Sequence, residues 1–125
     1  MISGMALGWD TAWARAAMRM GVPLVCAIPF EGQERQWPEA AQQWYRTVLQ
    51  FHAAEVVVAA YGGYTPQALH ARNRWMMDHC DAVAALWDER PDGGTASCLR
   101  YAYAIGRPVE NLWDEFLLTC VVPLR

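Results

Sequence analysis

The sequence predicts an α/β fold, a doubly wound parallel sheet with helices on both faces. Three observations carry the prediction. First, one plan occurs twice: a glycine-rich turn, a helical stretch, then an apolar run. Ser3–Gly8 leads into a helix that stops at Gly21-Val22-Pro23 and continues as Leu24-Val25-Cys26-Ala27-Ile28, while Asp92–Thr95 leads into a helix that stops at Gly106-Arg107-Pro108 and continues as Val109–Leu112. Second, apolar runs such as Val56-Val57-Val58 are continuous rather than alternating, as in parallel strands covered on both faces. Third, helical and strand patterns alternate along the whole chain.

The elements follow in order. Trp9, Ala12, Trp13, Ala16, Ala17 and Met20 fall at helical spacing and predict a first helix with one apolar stripe, Arg15 and Arg19 facing away. Gly21 suits a left-handed C-terminal cap and Pro23 blocks continuation. Leu24–Phe30 reads as a buried strand, followed by the loop Pro29–Glu34. Pro38 opens a second helix to Phe51, and Ala53–Ala60 is the next strand. After the turn Tyr61–Tyr64, Thr65 caps a helix with Pro66 at its first position, running to His79. Asp81–Trp87 is a strand, and the second glycine loop, its helix and a strand after Pro108 follow. Trp113–Leu118 reads as helical and Thr119–Val122 as a short edge strand.

With 125 residues, 54% hydrophobic and 18% charged, the chain fits a single folded domain over residues 1–125. The net charge of -3 argues against a nucleic-acid partner, whose phosphates call for a basic face. No apolar run approaches the roughly 20 residues that cross a bilayer, and no signal-peptide pattern opens the chain. Cys26, Cys80, Cys98 and Cys120 form no C-x-x-C pair and read as reduced, mostly buried thiols, which points to the cytoplasm. His52, His70, His79 and Cys80 make no metal motif, so neither a metal nor a cofactor is expected. Seven tryptophans are too many to hide fully in so small a core, and some are expected at a subunit interface or a pocket.

The two glycine loops are the candidate site. Backbone N–H groups at a helix start lack partners inside the helix, and the helix dipole favours an anion there. Ligands of doubly wound sheets bind beyond the carboxyl ends of the strands. Ser3–Gly8, Phe30–Glu34, Gly62–Tyr64 and Asp88–Thr95 all occupy such ends in this reading. A phosphate or diphosphate held by Ser3, Gly4, Gly8, Gly93, Gly94, Thr95 and Ser97 is therefore expected. Ser3 and Thr95 serve equally as donors to phosphate or as caps. A carboxylate at Asp10 would repel phosphate, so a ligand hydroxyl or a capping role suits it better. Tyr64 is placed to stack on a base, and Asp88 lies in the loop before Gly93. The loops lack the Gly-x-x-x-x-Gly-Lys-Ser/Thr pattern of P-loop NTPases.

Ser3-Gly4-Met5-Ala6-Leu7-Gly8-Trp9-Asp10, Pro29-Phe30-Glu31-Gly32-Gln33-Glu34 with Trp37-Pro38, Tyr61-Gly62-Gly63-Tyr64, Arg72-Asn73-Arg74-Trp75-Met76, Leu86-Trp87-Asp88 and Gly93-Gly94-Thr95 occur in this order. Over Ile2–Leu112 the chain resembles the YpsA-like branch of the SLOG superfamily. That superfamily has a Rossmann-like fold and includes the Lonely Guy phosphoribohydrolases and the DNA-processing protein DprA. Members of this branch begin with a further strand and helix, whereas only Met1 and Ile2 precede the first loop here. The resemblance thus implies a sheet missing its usual N-terminal strand-helix unit, with a two-residue stub as its first strand. An exposed sheet edge invites pairing, and a homo-oligomer, most simply a dimer, is expected.

The resemblance also implies chemistry. His70-Ala71-Arg72-Asn73 resembles the His-x-Arg-Lys motif of Lonely Guy enzymes, which places Arg72 at the catalytic arginine. Their glutamate has no counterpart: Ala96, Ser97, Cys98 and Leu99 follow Thr95. Cleavage at a ribosyl carbon calls for a carboxylate near the bond, which Glu31, Glu34 or Asp88 would have to supply from neighbouring loops. Nucleotide binding, for sensing or sequestering, therefore ranks above N-glycosidic hydrolysis of nucleoside monophosphates. A third reading is an interaction module or inhibitor, of the kind a phage or mobile element carries.

Overall fold

A computed structural model describes residues 1–121 and shows an α/β Rossmann-like architecture. The chain divides into two compact units, Met1–Asp78 and His79–Arg125. The first unit contains β1 (Ile2–Ser3), α1 (Trp9–Met20), β2 (Val25–Ile28), α2 (Glu39–Thr47), a π-helical segment (Val48–His52), β3 (Glu55–Val58) and α3 (Pro66–Asp78). Its sheet has the order β1-β2-β3, all parallel. The register pairs Ile2 with Val25, Cys26 with Val56 and Ile28 with Val58. The two-residue β1 is the stub the sequence implies.

β2 lies between two strands, and Cys26, Ala27 and Ile28 are all buried. β3 is an edge strand among the described residues, and Val56 is 40% exposed. The valine run reads as a covered strand in sequence, yet valine favours the extended backbone wherever the strand lies. The core unites Met5, Ala14, Ala17, Leu24, Cys26, Ile28, Tyr45 and Val48.

The α1 stripe is rotated from the expected one. Ala14 and Ala17 are buried, with Met18 packed against the core, while Ala12 is exposed and Met20 is 71% exposed. The small alanines occupy the tightest contact. Trp9 and Trp13 pack on each other with centroids 6.0 Å apart, and Arg15 lies over the ring of Trp44 at 4.5 Å. All seven tryptophans are half-buried. Gly21 adopts the left-handed cap conformation at φ 66°, and its N–H returns to the carbonyls of Ala17 and Met18. Thr65 caps α3, its Oγ1 accepting from the Ala68 N–H at 3.0 Å.

The second unit holds β4 (Val83–Ala85), α4 (Gly94–Ala104), β5 (Val109–Asn111) and α5 (Trp113–Val121), with β4 and β5 parallel. The expected edge strand at Thr119–Val122 is corrected: Thr119–Val121 continue α5, while Val122 lies outside the described residues. Bonding at the helix ends favours this outcome. The Phe116 N–H reaches the Leu112 carbonyl, and the Thr119 hydroxyl donates to the Glu115 carbonyl. No helix among the described residues is long and apolar enough to cross a membrane. Of the four cysteines only Cys26 is buried, and burial pushes its thiol up to about 11.

Candidate functional site

In the first unit, three parallel strands place the loops after β1, β2 and β3 at one edge, and side chains interlock them. Gln33, from the loop after β2, donates its amide to the carbonyls of Gly4 at 3.2 Å and Met5 at 3.4 Å. The same amide reaches the Tyr45 hydroxyl at 3.3 Å. Tyr64, from the loop after β3, meets Phe30 edge-on with centroids 6.1 Å apart. Tyr64 is 69% exposed, leaving a ring face open for stacking.

The first glycine loop is held from beneath. Arg72 is 7% exposed; its Nη1 donates to the Gly4 carbonyl at 2.5 Å and its Nε to Asn73 Oδ1 at 2.8 Å. Asp10 Oδ2 accepts from the Ala6 N–H at 3.2 Å. The Ser3 hydroxyl donates to the Asp10 carbonyl at 2.7 Å and accepts from the Met5 N–H at 3.1 Å. Thr11 Oγ1 donates to the Ala6 carbonyl at 2.9 Å. Gly4 is required for space, not for backbone freedom. A Cβ there would lie 2.6 Å from Arg72 Nη1 and 2.7 Å from Asp10 Oδ2. Met5 takes a positive φ of 58° with its side chain fully buried in the core. A non-glycine residue in that region is strained, and its surroundings must hold it there.

Ser3, Gly4, Asp10 and Arg72 come together around this loop, where their hydrogen bonds brace it. The one hydroxyl proton of Ser3 is committed to Asp10, and Arg72 sits under the loop. Burial pushes the Asp10 carboxyl up from its ordinary value, with the Arg72 charge and the Ala6 N–H pulling the other way. Gly8, by contrast, is exposed at the start of α1, which has no side-chain cap hydrogen bond.

Glu31 and Glu34 stand on the same turn after β2, where Gly32 adopts φ 84°. Glu31 is exposed and Glu34 is 6% exposed. Tyr45 behind them is fully buried, and burial pushes its hydroxyl up to about 12.

In the second unit, α4 begins with Gly93 at φ 93° and has no side-chain cap hydrogen bond. Gly93, Gly94 and Thr95 are exposed, and a Cβ added at Gly94 would meet nothing within 4 Å. The Ser97 N–H is the first to reach back, to the Gly93 carbonyl at 3.1 Å. Asp88 is tied to Arg90 by that residue's N–H and Nε. These bonds hold its carboxyl below the usual range.

Sequence reasoning missed three residues. Gln33 and Asn73 look like ordinary loop and helix polar residues. Asn111 closes the end of the second sheet: its Oδ1 accepts from the N–H groups of Trp87 and Trp113, and its Nδ2 donates to the Trp87 carbonyl. An Asn between a strand and a helix start was the one available signal. No group of three or more His, Cys, Asp or Glu residues that could hold a metal occurs among the described residues.

The fold and the glycine-led helix starts define a SLOG-type protein, and sequence comparison agrees. The model of the YpsA family (YspA SLOG family) matches residues 2–107, and the chain belongs to this family. It is similar to the uncharacterized SPbeta prophage-derived protein YoqJ of Bacillus subtilis (strain 168). The two are 31% identical over 133 residues, covering 92% of this chain and 77% of that protein.

Proposed function

We propose that the protein binds a nucleotide or nucleotide-sugar phosphate, to sense or sequester it, through two glycine-rich loops at helix N-termini. The observation that carries this reading is the start of α4. Gly93, Gly94 and Thr95 are exposed there, no side chain caps the helix, and the adjoining N–H groups have no helical acceptor. The start of α1 at Gly8 also lacks a side-chain cap, but Asp10 stands in its first turn and accepts from the Ala6 N–H. Family membership supports a nucleotide-related role. Within this reading Gly93, Gly94, Thr95 and Ser97 contact a phosphate in the second unit, while in the first unit Gly8 offers a phosphate contact and Tyr64 a ring for stacking on a base. Ser3, Gly4, Asp10 and Arg72 set the loop's shape, with Asp88 fixing the turn before Gly93. Binding ranks above hydrolysis because Ala96, Ser97, Cys98 and Leu99 supply no carboxylate after Thr95.

Gly94→Glu tests it. The side chain has room and is not forced into a strained backbone. A carboxylate in the first turn of α4 should stabilise the helix by roughly 0.3–1 kcal/mol while repelling phosphate. Titration of nucleoside mono- and diphosphates by calorimetry should show saturable binding to the wild type and at least roughly tenfold weaker binding to the variant. Equal affinities would reject the α4 contact. Release of free base during the titration would favour the hydrolase reading.

A second reading rests on α5, where Phe116, Leu117 and Leu118 are 42%, 42% and 67% exposed. Such a surface suits a homo-oligomer or a protein partner. The prophage origin in the name of the Bacillus relative is in keeping with an interaction module of a mobile element. A cytoplasmic place and the absence of a nucleic-acid partner complete the reading.

A further inference from the structure

The open side of β3 has the sequence of a strand that can pair with itself. Ala54-Glu55-Val56-Val57-Val58-Ala59-Ala60 reads the same in both directions about Val57, except that Glu55 answers to Ala59. β3 pairs with β2 on one side and is an edge of its sheet among the described residues. The Ala59 N–H donates to the Ile28 carbonyl at 2.9 Å. Successive residues of a strand turn their N–H and C=O groups to alternate sides. Val57 and Ala59 therefore face β2, while Val56 and Val58 present their backbone groups to the open edge. Natural edges are commonly guarded by lysine, proline or a bulge. β3 carries neither lysine nor proline, and its register with β2 runs unbroken from Glu55 to Val58. The margin is apolar as well: Val56 is 40% exposed, and Phe51, shortly before the strand, is 71% exposed. Val56 and Val58 also line a cleft of about 350 Å³ together with Ile28 and Leu49.

We propose that β3 is the contact between two copies of this chain, which run antiparallel about a two-fold axis at Val57. A two-fold contact uses the same patch on both copies and so requires a self-complementary one. In this register Val56 of each copy exchanges both backbone bonds with Val58 of the other, and Val57 meets Val57 as a non-hydrogen-bonded pair. Glu55 falls opposite Ala59, so no like charges meet. Side chains of directly opposed residues share a face. Val56 and Val58 of one copy therefore continue the aliphatic wall of the other copy's cleft, and the two sheets become one. The contact is independent of the phosphate reading and of α5.

Sedimentation of the full chain should show a monomer–dimer equilibrium with a Kd on the order of micromolar, as suits a small contact. Val56→Lys places a charge at the edge and should weaken association roughly tenfold or more. Cysteine substitution in a Cys120→Ser chain, which lacks the exposed native thiol, reads the register. Opposed Cα atoms at position 57 would lie about 4.5 Å apart, within reach of a disulfide. Those at position 55 would lie roughly 13 Å apart, out of reach. Under mild oxidation Val57→Cys should therefore give a disulfide-linked dimer far faster than Glu55→Cys. A chain that stays monomeric well above micromolar concentration overturns the proposal, as does a dimer that Val56→Lys leaves intact. Equal cross-linking at 55 and 57 overturns it too, and decides the matter even where Val56→Lys fails to fold.

Discussion

The two glycine-led loops share a plan in sequence and differ in construction. At Ser3–Gly8 the backbone is braced by Arg72, Gln33, Asp10 and Thr11, Met5 is strained, and Gly4 leaves no room for a methyl group. At Gly93–Thr95 the chain is exposed, no side chain caps the helix, and Gly94 has open space around it. The difference teaches that a glycine in such a loop can serve two ends. Gly4 permits the close approach of a buried arginine and carboxylate. Gly94 keeps a helix start uncovered. Only the second is a direct argument for a ligand; the first is an argument for a fixed loop shape.

Breaking the brace should have the largest effect. Arg72→Met removes the donor to Gly4 and leaves Asp10 buried without its counter-charge, a loss of about 3–5 kcal/mol of stability by urea denaturation. Gly4→Ala should lose about 1–3 kcal/mol, since Arg72 Nη1 and Asp10 Oδ2 must both give way. A smaller effect is expected in the pH dependence. The folded-state value for Asp10 is raised above the unfolded 3.8, so its contribution is fully present below 3.8 and is lost as pH rises through the raised value. Asp10→Asn should flatten that decline in stability measured across the acidic range. Gly94→Ala should have the smallest effect, and of opposite sign to Gly4→Ala: a gain of up to about 1 kcal/mol, because the helix accepts alanine and nothing is displaced. If the two glycines respond alike, the contrast between the loops is lost.

Much of the fold was legible in the sequence because local rules decide it. The caps at Gly21 and Thr65 and the order of helices and strands follow from φ preferences and periodicity. The rotation of the α1 stripe was not legible, since Trp9 and Trp13 within the helix count as apolar wherever they point. Nor was the edge position of β3, which depends on strand order. The eight residues from Ser3 to Asp10 were readable as a loop and helix start. The brace was not, because it relies on Gln33 and Arg72, brought from 29 and 68 residues beyond Gly4. The bonds of Ser3 and Asp10 are local: the Ser3 hydroxyl donates to the Asp10 carbonyl, and Asp10 Oδ2 accepts from the Ala6 N–H.

The most direct test of nucleotide binding at the helix starts is an amide NMR titration of the wild-type chain with a nucleoside diphosphate. The account predicts saturable shifts at Gly8, Gly94, Thr95 and Ala96, larger than those at the braced Gly4 and Met5, with the α4 response abolished in Gly94→Glu. No saturable shift at either helix start, or an undiminished α4 response in the variant, would contradict it.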